Sequence, residues 1–228
     1  KQGSDDETYA TYLHAALICL SSIRRWNPSI DLEFVTNAEP PAWFSERLRI
    51  IGGVVRHVQF HSVPPIGYAK AFLGSLYLLD VLRIADERPT AYIDPDIVCL
   101  GPLGPIFTAT GNAVGVLPIA YASEKVVNGL SASAARTMWA EAGLSVERVQ
   151  HYGGELYVVS PMVQKELTAR ISAAWEMSLA RFHRGESYLT TEEHLLNFAV
   201  FTLPNVELDD FARRVWTARS FRNVRGNE

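Results

Sequence analysis

With 228 residues, 48% of them hydrophobic and 20% charged, the chain is long enough to bury a full core and reads as one domain, 1–228, of α/β type. A formal net charge of −4 argues against a nucleic-acid partner held by phosphate neutralisation, although Arg213, Arg214, Arg219, Arg222 and Arg225 make the end of the chain locally basic. That tail is either a solvated face or a contact with phosphate or a membrane surface. The N-terminus is polar and acidic, no apolar run approaches the roughly 20 residues of a membrane span, and Cys19 and Cys99 both sit in apolar runs. A cytoplasmic protein with reduced, buried thiols is the expectation.

Residues 5–26 read as one helix: Asp5, Asp6 and Glu7 enrich the first turn, Tyr12, Ala16, Cys19 and Ile23 recur at helical spacing, and Pro28 stops it. Asp31 to Thr36 reads as a strand, Trp43 to Leu48 as a short helix, Gly52-Gly53 as a turn and Val54 to Phe60 as a second strand closed by Pro64-Pro65. A long helix is expected from Tyr68 to Ala85, then a strand over Ala91 to Cys99, a loop over Gly101 to Pro105 and a strand over Ala113 to Pro118. A helix from Ser133 ends at Gly143, and a buried strand from His151 is closed by Pro161. Helices follow over 163–183 and 191–201, with caps available at Ser160 and at Thr190 or Thr191. The alternation predicts a mainly parallel sheet flanked by helices, in which ligands bind beyond the carboxyl ends of strands.

Near one such end stands Ala91-Tyr-Ile-Asp94-Pro-Asp96-Ile-Val-Cys99, two carboxylates one residue apart in a strand-forming run. Alternation puts Asp94 and Asp96 on one face or together at the strand's end. Mg²⁺ and Mn²⁺ take one or two carboxylates plus substrate phosphates, so a phosphate-bearing substrate is the first suspicion. A plain Asp-Pro-Asp turn explains the same residues without any ligand.

Four segments together resemble the nucleotide-sugar glycosyltransferases of the Rossmann-like GT-A fold, most closely the retaining glycogenin and galactosyltransferase-like family. Tyr12 to Ile23 is similar to that family's opening helix, whose tyrosine stacks on uracil; the resemblance puts that role on Tyr12, with Tyr9 near enough to take it. Ala91 to Leu100 resembles the Asp-x-Asp strand that holds Mn²⁺ (or Mg²⁺) against the donor diphosphate, which implies Asp94 and Asp96 as metal ligands and Asp94 also at the donor. Lys70 matches a basic donor-binding residue in placement. Tyr152 to Pro161 is similar to the family's Phe-Asn-x-Gly-Val strand, with Gly153 where asparagine is expected and Glu155 where glycine is. Gly153 and Gly154 then allow close backbone approach to the sugar, and Glu155, a carboxylate opening a buried strand, demands a partner. Thr191 to Asn197 resembles the Asp-Gln-x-Leu-Leu-Asn helix start and implies Glu192 and Glu193 beside the transferred sugar. Glu192, Glu193 and Glu155 are thus the candidate catalytic carboxylates, although two glutamates in a first turn also simply complement a helix dipole.

The resemblance implies a metal-dependent, retaining hexosyltransferase with a UDP-linked donor and an unidentified hydroxyl acceptor. It also implies a strand ahead of the first helix and a late His-x-x-Gly metal ligand. Neither has a counterpart in these residues, so the chain is expected to be truncated at both ends or to bind its metal differently. Two rivals stand beside it. A haloacid dehalogenase-type phosphatase would use Asp94 as nucleophile, Asp96 as general acid, Lys165 as phosphate clamp and Asp209-Asp210 as metal pair. A non-enzyme of the same fold would bind a sugar nucleotide without turnover.

Overall fold

The structure, a computed structural model, describes residues 6–68, 73–84, 87–119, 126–144, 150–217 and 224–226. Helix α1 (Asp6–Trp26) ends two residues before Pro28, as its sequence demands. Its Leu13, Ala16 and Leu17 pack on Phe44 and Leu48 of α2 (Ala42–Ile50), with Phe34 and Val55 beneath. Arg24 fastens the helix end by donating to the carbonyls of Ile51, Gly52 and Pro28. Strands β1 (Leu32–Thr36) and β2 (Gly53–His57) flank α2 in sequence and pair in parallel, so this first unit is β-α-β as expected.

The helix expected over Tyr68 to Ala85 is much shorter among the described residues. A 3₁₀ turn at Leu73–Leu76 leads into α3 (Tyr77–Val81). Tertiary demands override propensity at both ends. Tyr68 is buried, and its hydroxyl donates to the Leu189 carbonyl while sharing a hydrogen bond with Ser178. Asp80 accepts the backbone N–H groups of His61 and Ser62, the Ser62 hydroxyl and the Arg83 guanidinium.

Strand β3 (Thr90–Ile93) stops before the aspartates. Helix α4 (Gly104–Thr110) occupies part of the expected loop, because proline is well placed in a first helical turn and Pro105 does not prevent it. Strand β4 (Val114–Ile119) is followed by a hairpin of β5 (Val126–Val127) and β6 (Leu130–Ser131), whose Asn128 is the only non-glycine residue with positive φ among those described. Then come α5 (Ala132–Glu141), β7 (His151–Val159), α6 (Pro161–His183) and α7 (Glu192–Val200). Ser131, Ser160 and Thr191 cap the three helices by accepting first-turn N–H groups. Strand β8 (Asn205–Glu207), then β9 (Val215–Thr217) and β10 (Val224–Gly226), which pair antiparallel, complete the described elements.

The larger sheet has the order β3-β7-β4-β8 and is mixed rather than mainly parallel. Strand β7 runs antiparallel to both β3 and β4, while β8 runs parallel to β4. Alternating strands and helices cannot report which end of the sheet the chain re-enters. Here the segment between β4 and β7, which carries the β5-β6 hairpin and α5, brings the chain back at the end where β4 stops. The carboxyl ends of β3, β4 and β8 and the amino end of β7 therefore share one edge of the sheet. Behind it, Val116, Tyr157 and Val159 pack against Leu195, Leu196, Ala199, Leu167 and Ile171 of α6 and α7. The fold is thus α/β, with helices on two paired sets of strands. No helix among the described residues is long and apolar enough to cross a membrane.

Gly115 marks close packing in this layer. A Cβ there would lie 2.7 Å from Thr110 Oγ1, 2.9 Å from Leu208 Cδ1 and 3.1 Å from Val158 Cβ. Gly115→Ala is expected to cost about 1–3 kcal/mol through overpacking, read as a lower urea midpoint at unchanged slope.

Candidate functional site

Asp94 follows the last residue of β3, and its N–H donates to the Glu155 carbonyl at 2.9 Å, extending the β3-β7 ladder by one bond. Its own carbonyl accepts from Ile97 N–H at 3.3 Å, closing a turn with Pro95 and Asp96 in its middle positions. Aspartate first and proline second is what such a turn prefers. Both carboxylates are exposed at this edge. The strand expected over Ala91 to Cys99 thus stops at Ile93, and Asp94 and Asp96 stand in a turn at its end, the second of the two placements the sequence allowed.

Across from them, β7 begins His151-Tyr-Gly-Gly-Glu155, and α7 presents its first turn. Gly154 N–H donates to Glu193 Oε1 at 3.3 Å, and a Cβ at Gly154 would lie 3.2 Å from Glu192 Oε1. Asn197, one turn along α7, fixes the two elements together. It accepts Tyr152 N–H at 2.7 Å and donates to the Glu193 carbonyl at 2.6 Å. Glu192 accepts from the Ser75 hydroxyl, and Glu193 Oε2 accepts from the Asn128 amide at 3.2 Å. Arg214, from the segment after β8, pairs with Glu155 Oε1 and approaches Glu193 Oε1 at 3.8 Å. The partner that Glu155 demanded is this arginine. Its second oxygen, Oε2, is buried without a hydrogen bond.

Five carboxylates therefore share one edge of the sheet, and their ionisation reflects it. Asp94 lies at the mouth of a cavity, open to solvent yet crowded by protein, and its carboxyl is pushed up to about 7. Desolvation leads, followed by Asp96, Glu155, Glu192 and Glu193. Glu193 is also raised to about 7, by desolvation and then by Glu192, against the Gly154 N–H and Arg214. Burial raises Glu192 too, and Ser75 opposes the shift. Tyr157 lies beneath, fully buried in the field of Glu193, Glu192 and Glu155 and raised well above its ordinary value by burial first. His194 is a structural residue, 1% exposed, its Nδ1 beside Thr190, with burial lowering it to about 4.

Not every expected residue joins the cluster. Cys19 of α1 reaches the Asp94 carbonyl at 3.8 Å. Tyr12 shares that helical face but stands about 10 Å nearer the amino end, exposed, while Tyr9 packs partly buried beside Leu13 and Phe44. Lys70, Arg219 and Arg222 lie outside the described residues. Lys165 sits on α6, which starts where β7 ends, at the opposite edge from Asp94. Asp209 and Asp210 follow β8 at the same edge as Asp94 but with two strands, β7 and β4, between them. Ser75, Asn128, Arg214 and Tyr157 were not singled out as site residues from sequence. Only Asn128-Gly129, a hairpin signal, and the arginine-rich tail hinted at two of them.

Among the described residues no group of three or more His, Cys, Asp or Glu side chains is set to hold a metal ion. Asp94 and Asp96 nevertheless fit a Mg²⁺ or Mn²⁺ ion that takes its other ligands from phosphate and water, since such ions use one or two protein carboxylates. The crowding that raises Asp94 is what a cation there would relieve.

Gly153 is reserved by the same cluster. A Cβ there would fall 1.9 Å from Glu155 Oε2, so Gly153→Ala must turn the carboxylate away from Arg214. A loss of about 2 kcal/mol is expected in urea unfolding, and Glu155→Gln should reduce the additional cost of Gly153→Ala by uncoupling it from the ion pair.

No protein-family model matches this chain, and comparison with curated proteins finds no match either.

Proposed function

We propose that this protein is a GT-A-type glycosyltransferase that moves a hexose from a nucleotide sugar, UDP-linked by resemblance, to a hydroxyl acceptor. The observation that supports it is the meeting, at one sheet edge, of the Asp94-Pro95-Asp96 turn, the Gly153-Gly154 approach and the first turn of α7 with Glu192 and Glu193. These three segments lie far apart in sequence and carry the resemblance independently.

In this reading Asp94 and Asp96 hold Mn²⁺ or Mg²⁺ against the donor diphosphate. The bound ion supplies Lewis-acid neutralisation of the charge that develops on the leaving nucleoside diphosphate. Gly153 and Gly154 present backbone without side chains, so the sugar can lie close to β7. Glu193, held by Gly154 N–H and the Asn128 amide, and Glu192, held by Ser75, bracket the sugar carbon. An ionised glutamate there stabilises positive charge at that carbon or attacks it, as carboxylates do in glycosyl chemistry. Arg214 keeps Glu155 and Glu193 apart in charge, so the cluster tolerates three adjacent glutamates. Retention of configuration comes from the resemblance alone.

Ion binding must compete with protons at Asp94. Asp94 binds a proton with a pKa of about 7, so Mn²⁺ should release protons on binding near neutrality and bind more tightly as pH rises from 6 to 8. Calorimetry in two buffers of different ionisation enthalpy measures that release, and none at pH 6.5 would count against the site. Turnover is tested by incubating UDP-glucose, and separately UDP-galactose, with protein and Mn²⁺ and measuring UDP release. Glu192→Gln and Glu193→Gln should lower release at least 100-fold while donor binding persists. Release of phosphate from p-nitrophenyl phosphate would instead favour the phosphatase, and UDP binding without release a non-enzyme.

A further inference from the structure

The β5-β6 hairpin is fastened over the start of α7. Val127 pairs with Leu130, so Asn128 and Gly129 form a two-residue loop, and both have positive φ, 47° and 88°. Such a loop takes asparagine, aspartate or glycine at its first place and glycine at its second. Val127 and Leu130 are buried and anchor the two strands. Thr190, just ahead of α7, donates its hydroxyl to the Asn128 carbonyl at 2.8 Å. The backbone of the loop is therefore set by its strands, its glycine and Thr190, and the Asn128 side chain is spare for another task.

That side chain reaches the carboxylate cluster. Its amide donates to Glu193 Oε2 at 3.2 Å, whereas Gly154 N–H and Arg214 both approach Oε1. Among the described residues no other hydrogen bond goes to Oε2. Of the three residues the loop accepts, asparagine alone donates there: glycine has no side chain, and aspartate would bring another negative charge. A hydrogen bond given to a carboxylate favours its ionised form. The surroundings of Glu193 mostly oppose that form. Burial leads, Glu192 on α7 and Glu155 on β7 repel the charge, and Arg214 favours it. Asp94 faces it across the edge, and Tyr157 lies beneath. His194 and His151, both lowered by burial, supply no countercharge at neutral pH.

We propose that Asn128 is a positioning residue, which the hairpin delivers to hold Glu193 ionised and in one orientation beside the transferred sugar. What the charge does there rests on the transferase reading; the contact and its effect on ionisation do not.

The test compares the whole chain with Asn128→Gly and Asn128→Asp, both of which the loop accepts. The Glu193 carboxyl is followed by carbon NMR across a pH titration without metal, its signal assigned by its loss in Glu193→Gln. The midpoint, about 7 in the wild type, is expected to rise by about 0.5–1 in Asn128→Gly and further in Asn128→Asp, with the melting temperature little changed. UDP release with UDP-glucose and Mn²⁺, taken relative to wild type, should fall in Asn128→Gly by about fivefold at pH 6.5 and by less than roughly twofold at pH 9, because only the ionised fraction is lost, and the donor KM should hold. A merely structural role would lower release equally at both pH values, and that result overturns the proposal. So does an unchanged Glu193 midpoint in both variants. Midpoints rising in the order wild type, Asn128→Gly, Asn128→Asp, with no release by the wild type, would uphold the Asn128 contact and sink the transferase reading alone.

Discussion

Exchanging Asp94 and Asp96 together for asparagine is expected to abolish manganese-dependent UDP binding and, in the same protein, to raise the melting temperature of the unliganded chain at pH 8. Binding is lost because asparagine keeps the shape of the turn but removes the anionic ligands a hard cation needs. Stability rises because desolvation, and then the repulsive field of Asp96, Glu155, Glu192 and Glu193, hold the Asp94 carboxyl up to about 7. A carboxyl whose folded pKa lies above its unfolded value of about 4 contributes stability that is full below pH 4 and lost as pH climbs through 7. Above pH 8 the ionised group opposes folding, and asparagine removes that opposition. Glu193, raised to about 7 by burial and Glu192, adds to the same trend, partly offset by Arg214. These groups should therefore make the wild type less stable at pH 8 than at pH 5.5, with the difference smaller in the double variant. Calorimetric melting at the two pH values, with UDP titrations with and without Mn²⁺, reads both effects. Wild-type binding in the double variant, or an equal fall in stability with pH, would remove the ion site from the turn.

Arg214→Met carries the second large effect. It leaves Glu155 and Glu193 without the guanidinium between them, while Glu155 Oε2 already has no hydrogen bond. The side chains of Arg214, Glu155 and Glu193 are 14%, 19% and 13% exposed, so solvent screens them little. Removing one partner of such a pair costs about 3 kcal/mol, a melting decrease of roughly 6–12 °C in a chain of this size. The loss should grow with pH as Glu193, raised to about 7, ionises. Glu155→Gln in the Arg214→Met background should recover more than half of it. A surface arginine would cost under about 1 kcal/mol and show no such coupling.

What the sequence disclosed follows the range of the interactions involved. The carboxyl end of α1, the Ser160 cap, the choice of Thr190 or Thr191 as the next cap and the β-α-β unit at β1 and β2 rest on neighbours in the chain, and all were legible. The length of the segment around α3 was not, because Tyr68 and Asp80 answer to partners more than fifteen residues away, among them Ser178, Leu189 and Ser62. Strand direction was not legible either, since β7 could pair both ways with the same hydrophobic pattern. At the candidate site, Asp94, Asp96, Gly153, Gly154 and the three glutamates could be singled out because each lies in a short run of distinctive residues. Arg214 could not be given to Glu155, nor Ser75 to Glu192, because those pairs span 59 and 117 positions of chain with no local pattern.

The most direct measurement is a thermal shift of the whole chain at pH 7.5 with UDP, GDP and TDP, each with and without Mn²⁺. A ligand that binds only the folded state at 100 times its Kd stabilises by about 2.7 kcal/mol, roughly 5–10 °C here. A glycosyltransferase with its ion at Asp94 and Asp96 should show that rise with UDP and Mn²⁺ together and little with either alone. No rise with any nucleotide, or an equal rise without Mn²⁺, would contradict it.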